Sequence, residues 1–186
     1  MAMTVVFIAV ALVLGGAFAW WRTASRLRRT AAKLDRAWAE VEQALAARLA
    51  ALKEFLAALK SLGLVPEARK ELEEVVDSLP RAQAEGPRAL AHADDRLRVV
   101  LWAAYNGLPR ERPERLREAQ NRLAEAEDEL DIVRRRYNQL AVDWNLYLGR
   151  TWPRFLARRR GFERVELYLL PSQEEEFIRR HGPVVS

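Results

Sequence analysis

The densest set of groups able to do chemistry is the run "EAEDELD", Glu125 to Asp131, which carries five carboxylates. Paired carboxylates invite metal binding or general acid–base work. Bundles that hold di-iron centres add Glu-x-x-His from facing helices, and that motif is absent from this sequence. Glu125 with Glu129, or Asp128 beside neighbouring arginines, reads more simply as a solvated helix face. His92 with Asp95 one turn later offers two metal ligands at most. The other histidine, His181, is remote in sequence, and there is no cysteine. Disulfides, thiolate ligands and cysteine nucleophiles are thereby excluded. No Gly-rich phosphate loop, nucleophile elbow or zinc spacing occurs. The expectation is a protein that is not an enzyme and carries no cofactor or metal.

Positive charge is the second resource, since the 186-residue chain has a net charge of +5. Arg48 is a lone charge on an apolar stripe. It is either a snorkelling side chain covering hydrophobic surface or half of an ion pair to Glu127 that fixes helix register. The clusters Arg134 to Arg136 and Arg154, Arg158, Arg159 and Arg160 lie near aromatic residues, a combination also found where single strands are bound. Tyr137 and Trp144 fall on a helix seam, however, and stacking on bases would require leaving the core, so nucleic acid is not an expected partner. The last cluster suits anionic lipid, at ~1 kcal/mol per arginine, or is simply a solvated face.

These residues must be positioned by helices, because Ala, Leu, Glu and Arg dominate the composition. Residues 3–21, "MTVVFIAVALVLGGAFAWW", contain no charge and would span ~30 Å at ~1.5 Å per residue. Trp20 and Trp21 mark an interface, and Arg22, Arg26, Arg28, Arg29 and Lys33 follow. The positive-inside rule then predicts a single-pass anchor over 1–22, with the N-terminus outside and the bulk of the chain cytoplasmic. A cleaved signal peptide ending at "AFA", Ala17 to Ala19, is the competing reading, although the basic n-region is missing. A buried core helix is a third.

Beyond the anchor, Leu27, Ala31, Leu34, Trp38, Val41, Leu45, Arg48, Leu52, Phe55, Leu59 and Leu62 step by threes and fours, predicting one unbroken helix to Leu62. Gly63 ends it and Pro66 opens the next. A short helix over 66–79 should stop at Pro80, and a third runs over 87–106. The last carries Leu116, Ala119, Leu123, Leu130, Val133, Tyr137, Leu140, Trp144 and Tyr147 inward, is distorted at Pro153 and is capped by Gly161. The expected fold is all-α: a transmembrane helix continuing into an antiparallel up-and-down four-helix bundle with long first and last helices over 23–162. Residues 163–186 form a partly flexible tail. Opposed residues on the first and last helices should sum to about 175, which sets Trp38 against Tyr137 and Arg48 against Glu127. The half nearest the membrane is expected to be a two-helix hairpin patched by the tail.

The stretch Val133 to Tyr168 resembles the C-terminal signature of the LemA family, in which Tyr-Asn, a second aromatic-Asn, Phe-Pro and Gly-Phe follow in order. The counterparts here are Tyr137-Asn138, Trp144-Asn145, Trp152-Pro153 and Gly161-Phe162. "AWAEVEQALAAR" is similar to the family's early helix, with Trp38, Glu40, Glu42, Leu45 and Arg48 matching in kind, and Glu127 matching the acid of a Thr-Glu-Asn step. Ala47, Lys53 and "YNGLPRERP" depart from the pattern. The resemblance implies a bacterial helical bundle anchored in the inner (plasma) membrane, and it implies no established enzymatic activity or cofactor.

The functional expectation is a membrane-anchored scaffold or adaptor acting through protein partners or self-association. The alternative is a module that senses or organises an anionic lipid surface. Two residue groups carry these readings. Trp20, Trp21, Arg22, Arg26, Trp152, Arg154 and Arg158–Arg160 form the membrane interface. Trp38, Arg48, Glu127, Tyr137, Asn138, Trp144 and Asn145 set the bundle seam and register, with the two amides placed to hydrogen-bond across the bundle.

Overall fold

A computed structural model describes residues 2–173 and 179, without the side chains of 2, 5, 6, 9, 151–153 and 156. The chain is all-α: α1 (Ala2–Ser61), α2 (Pro66–Glu85), α3 (Pro87–Asn106), α4 (Glu114–Gly149) and α5 (Thr151–Arg159), with no strand among the described residues. His181 lies outside them.

α1 runs for 60 residues; it contains no proline, and its two interior glycines each cost only ~1 kcal/mol. It stops at Gly63, whose φ of +67° is the left-handed cap that glycine adopts freely. Val65 is also left-handed, at φ 39°, a costly conformation for a β-branched residue. Gly107 makes room for it, since a Cβ there would come within 2.5 Å of Val65 Cγ1. The α1–α2 and α3–α4 turns thus lean on each other at one end of the molecule.

Three sequence expectations need correction. Among the described residues no helix is long and apolar enough to cross a membrane. The single-pass anchor over 1–22, the inner-membrane localisation and the outward N-terminus are therefore overturned. α2 does not stop at Pro80 but continues to Glu85 with the proline inside it; Pro80 is exposed, so its ring meets solvent rather than a neighbour. The last helix is two. Pro153 offers no N–H to the Gly149 carbonyl, and the chain turns extended at Arg150, ψ 142°, before α5 begins. The first part of the tail packs, with Leu167, Tyr168 and Leu170 buried.

α1 and α4 pair antiparallel. Trp38 meets Tyr137 with ring centroids 5.0 Å apart, Arg136 reaches Glu40 at 2.9 Å, and Arg122 reaches Glu54 at 2.7 Å. α2 packs on α3 and on α1, whereas α3 approaches α4 only through side chains. Two apolar clusters result. The distal one joins Leu52, Phe55 and Leu59 of α1 to Leu72 and Val76, Leu97 and Leu101, and Leu116 and Leu123. The proximal one joins Leu27, Leu34 and Val41 to Tyr137, Ala141 and Trp144 of α4 and to Leu167 and Tyr168. Each buried leucine contributes roughly 1.5–3 kcal/mol.

Candidate functional site

The two aromatic-Asn pairs of α4 hold the segment that follows α5. Gly161, φ +70°, turns the chain back, and residues 162–170, here the strap, lie along α4. Trp144 donates its indole N–H to the Glu163 carbonyl at 2.8 Å, and the Tyr137 hydroxyl donates to the Glu166 carbonyl at 2.8 Å. Asn145 closes a two-bond ring on Val165: its amide donates to the carbonyl at 2.9 Å and its oxygen accepts the N–H at 3.0 Å. Asn138 does the same to Tyr168, both bonds at 2.8 Å.

The spacing explains why such pairs sit seven apart. Seven helical residues advance ~10.5 Å, and three extended residues advance ~10 Å. Trp144 with Tyr137, and Asn145 with Asn138, therefore meet strap residues three apart, 163 with 166 and 165 with 168. A strap buried against helices has no strand partner for its backbone, and unpaired buried amides cost ~1–3 kcal/mol each; the side-chain ladder supplies those partners. The next rung would join Asp131 to residue 171, which is Pro171 and has no N–H to give. The amides thus act on the strap and not across the bundle to another helix, as the sequence reading had them.

The strap delivers Tyr168 onto a buried charge network. Arg48 is 7 % exposed, and its Nη1 donates to Asp94 at 2.6 Å while Nη2 reaches Glu127 at 3.3 Å. The second Asp94 oxygen accepts from the Tyr168 hydroxyl. The guanidinium of Arg134 lies over the Tyr168 ring, 5.5 Å from its centroid, and donates to Asp131 at 2.8 Å. Burial alone would push the Arg48 guanidinium down, but Asp94 and then Glu127 outweigh it and hold it above its ordinary value. Burial, then the Asp94 charge, pushes the Tyr168 hydroxyl far up. Tyr137 is raised to about 12, by burial and then by Glu166. Near neutral pH these directions keep the Arg48 guanidinium charged and the Tyr137 and Tyr168 hydroxyls protonated.

Of the two readings of Arg48, snorkelling or an ion pair to Glu127, the pair is present as the longer of two; its closer partner, Asp94, was missed. The signal was available. Asp94 follows Leu90 and precedes Leu97 and Leu101 at helical spacing, a negative charge on an apolar stripe just as Arg48 is a positive one. Arg134, read as part of an exposed basic cluster, is buried under the strap at 4 % exposure. Nothing in the sequence pointed to Tyr168, because contacts between α4 and a non-helical segment leave no periodicity.

The residues read as a membrane interface do not form one unit. Trp20 packs against the proximal cluster, and Arg26 lies over the Tyr147 ring at 4.9 Å. Trp21, Arg22, Arg154, Arg158, Arg159 and Arg160 are exposed, and the Trp152 side chain lies outside the described residues. His92 is exposed, and among the described residues no three His, Asp or Glu side chains are grouped to hold a metal ion. No family model matches the chain, and no curated protein matches it.

Proposed function

We propose that this chain is a non-enzymatic scaffold of the LemA kind, an up-and-down four-helix bundle that works through protein–protein contacts. One observation carries the reading. Before Trp20, every described side chain of α1 is exposed, and Phe7, Ile8, Leu12, Val13, Leu14 and Phe18 are each more than half so. A contiguous apolar surface of this kind marks an interface with a partner. The antiparallel contacts of α1 with α4 and the short α1–α2 and α2–α3 connections support the bundle topology. The ordered series Tyr137-Asn138, Trp144-Asn145, Gly161-Phe162 supports the family.

A photo-crosslinking residue at Leu12, in the full chain expressed in cells, tests the proposal. Discrete protein adducts are expected from Leu12 and none from the exposed control position Lys53. Adducts to lipid alone, or no adduct at either position, would overturn it.

A further inference from the structure

Because α3 reaches α4 only through side chains, a cavity of about 320 Å³ opens between them beside Arg48. Its floor is the Arg48–Asp94 pair, and its mouth is formed by Trp102 and Tyr105 of α3 and by Glu127 and Asp128 of α4.

Charge on the lining does not balance. Asp94, Glu127, Asp128 and Asp131 face Arg48, Arg98 and Arg134, so the cavity is short of one positive charge. Asp94 is consumed by Arg48 and Tyr168, and Asp131 by Arg134 and Arg135. Asp128 makes no ion pair among the described residues, and Glu127 gives only one oxygen to Arg48. The uncommitted carboxylates are therefore at the mouth. There Trp102 stands 68 % exposed, an indole face held beside anionic groups, the pairing that recognises organic cations. The Tyr105 hydroxyl, raised to about 12 by burial and then by Glu127, reports the same negative potential.

A second, independent feature lies on the floor. Arg48 Nε is buried and has no hydrogen-bond partner. Nε–H and Nη2 share one edge of the planar guanidinium, and Glu127 takes only Nη2 of that edge. A buried donor thus remains open on the side where Glu127 lines the cavity, and it calls for an acceptor.

We propose that this cavity binds a single guanidinium or alkylammonium group carrying a nearby carbonyl, the cation between Trp102 and the Glu127–Asp128 carboxylates and the carbonyl on Arg48 Nε–H. An arginine or lysine residue of a peptide, with its own backbone carbonyls, has this chemistry. The site is separate from the uncovered end of α1, so either proposal can fail alone.

The test is an NMR titration of the full-length protein, reading the indole N–H signals, with that of Trp102 assigned through Trp102→Phe. N-acetyl-argininamide is expected to shift the Trp102 signal saturably, with Kd on the order of 1 mM for a ligand of this size. Its neutral isostere N-acetyl-citrullinamide should leave the signal in place. Asp128→Asn should weaken binding about tenfold and Trp102→Ala about threefold; both side chains are exposed, and an unchanged amide spectrum elsewhere verifies the fold. Bare propylguanidinium, which has no carbonyl, is expected to bind more weakly than N-acetyl-argininamide, and equal binding would overturn the carbonyl contact on Arg48 Nε–H. Equal shifts with the citrulline compound, no saturation by about 50 mM, or undiminished binding by Asp128→Asn would overturn the proposal.

Discussion

Asp94 holds two groups at once, the Arg48 guanidinium and the Tyr168 hydroxyl. Asp94→Ala strands a buried cation and should cost about 3–5 kcal/mol, seen in urea as a lower midpoint with an unchanged slope. The tyrosines give the pH dependence. Tyr137 sits near 12 in the folded chain against roughly 10 unfolded. Its contribution is complete below about pH 10 and is lost as pH rises toward 12, because only the unfolded form then ionises readily. Unfolding midpoints should fall steeply over that range, and Tyr137→Phe should flatten the fall. At this scale the sequence was half legible. Arg48 announced itself as a charge on an apolar stripe, whereas Asp94 needed the same rule applied to α3 with the sign reversed.

Among the elements, α4 does two jobs with adjacent residues. Tyr137 and Trp144 fill the proximal cluster while Asn138 and Asn145, one position on, grip the strap. This second demand widens the buried face beyond a heptad seam. Ala141 and Leu148 are buried where the stripe predicted Leu140 and Tyr147, which are only partly so. Replacing both asparagines by alanine should cost roughly 1–3 kcal/mol for each buried group left unpaired. Hydrogen exchange locates the effect: the Val165 and Tyr168 amides should exchange much faster, with α4 amides little changed near Leu123. Helices and their seams were readable because 3.6-residue periodicity survives in one sequence. The α4–α5 break was placed only at Pro153, and a proline acts on the carbonyl four residues earlier.

Across the whole molecule, the charge network divides the core. Leu45, Ala91 and Leu130 belong to the proximal cluster, and Leu52, Leu97 and Leu123 to the distal one. Arg48, Asp94 and Glu127 lie between them on the same three helices. A buried polar layer of this kind selects register more than it adds stability. The triple variant Arg48→Met, Asp94→Leu, Tyr168→Phe should therefore be at least as stable as the parent in denaturant, although Asp94→Ala alone is severely weakened. If the triple variant is as weak as Asp94→Ala, the network is a net source of stability instead. The all-α class could be read from the chain, but the uncharged run over 3–21 was taken for a membrane crossing that the described residues do not support.

The match of seven helical residues to three strap residues bears on descent. A single residue inserted between Val165 and Tyr168 would turn Tyr168 away from Asp94, and one inserted between Asn138 and Asn145 would swing an amide about 100° around α4. Neither segment can change length alone. A lineage lengthening this joint must add seven residues to α4 and three to the strap together, so relatives are better sought by these paired intervals than by residue identity.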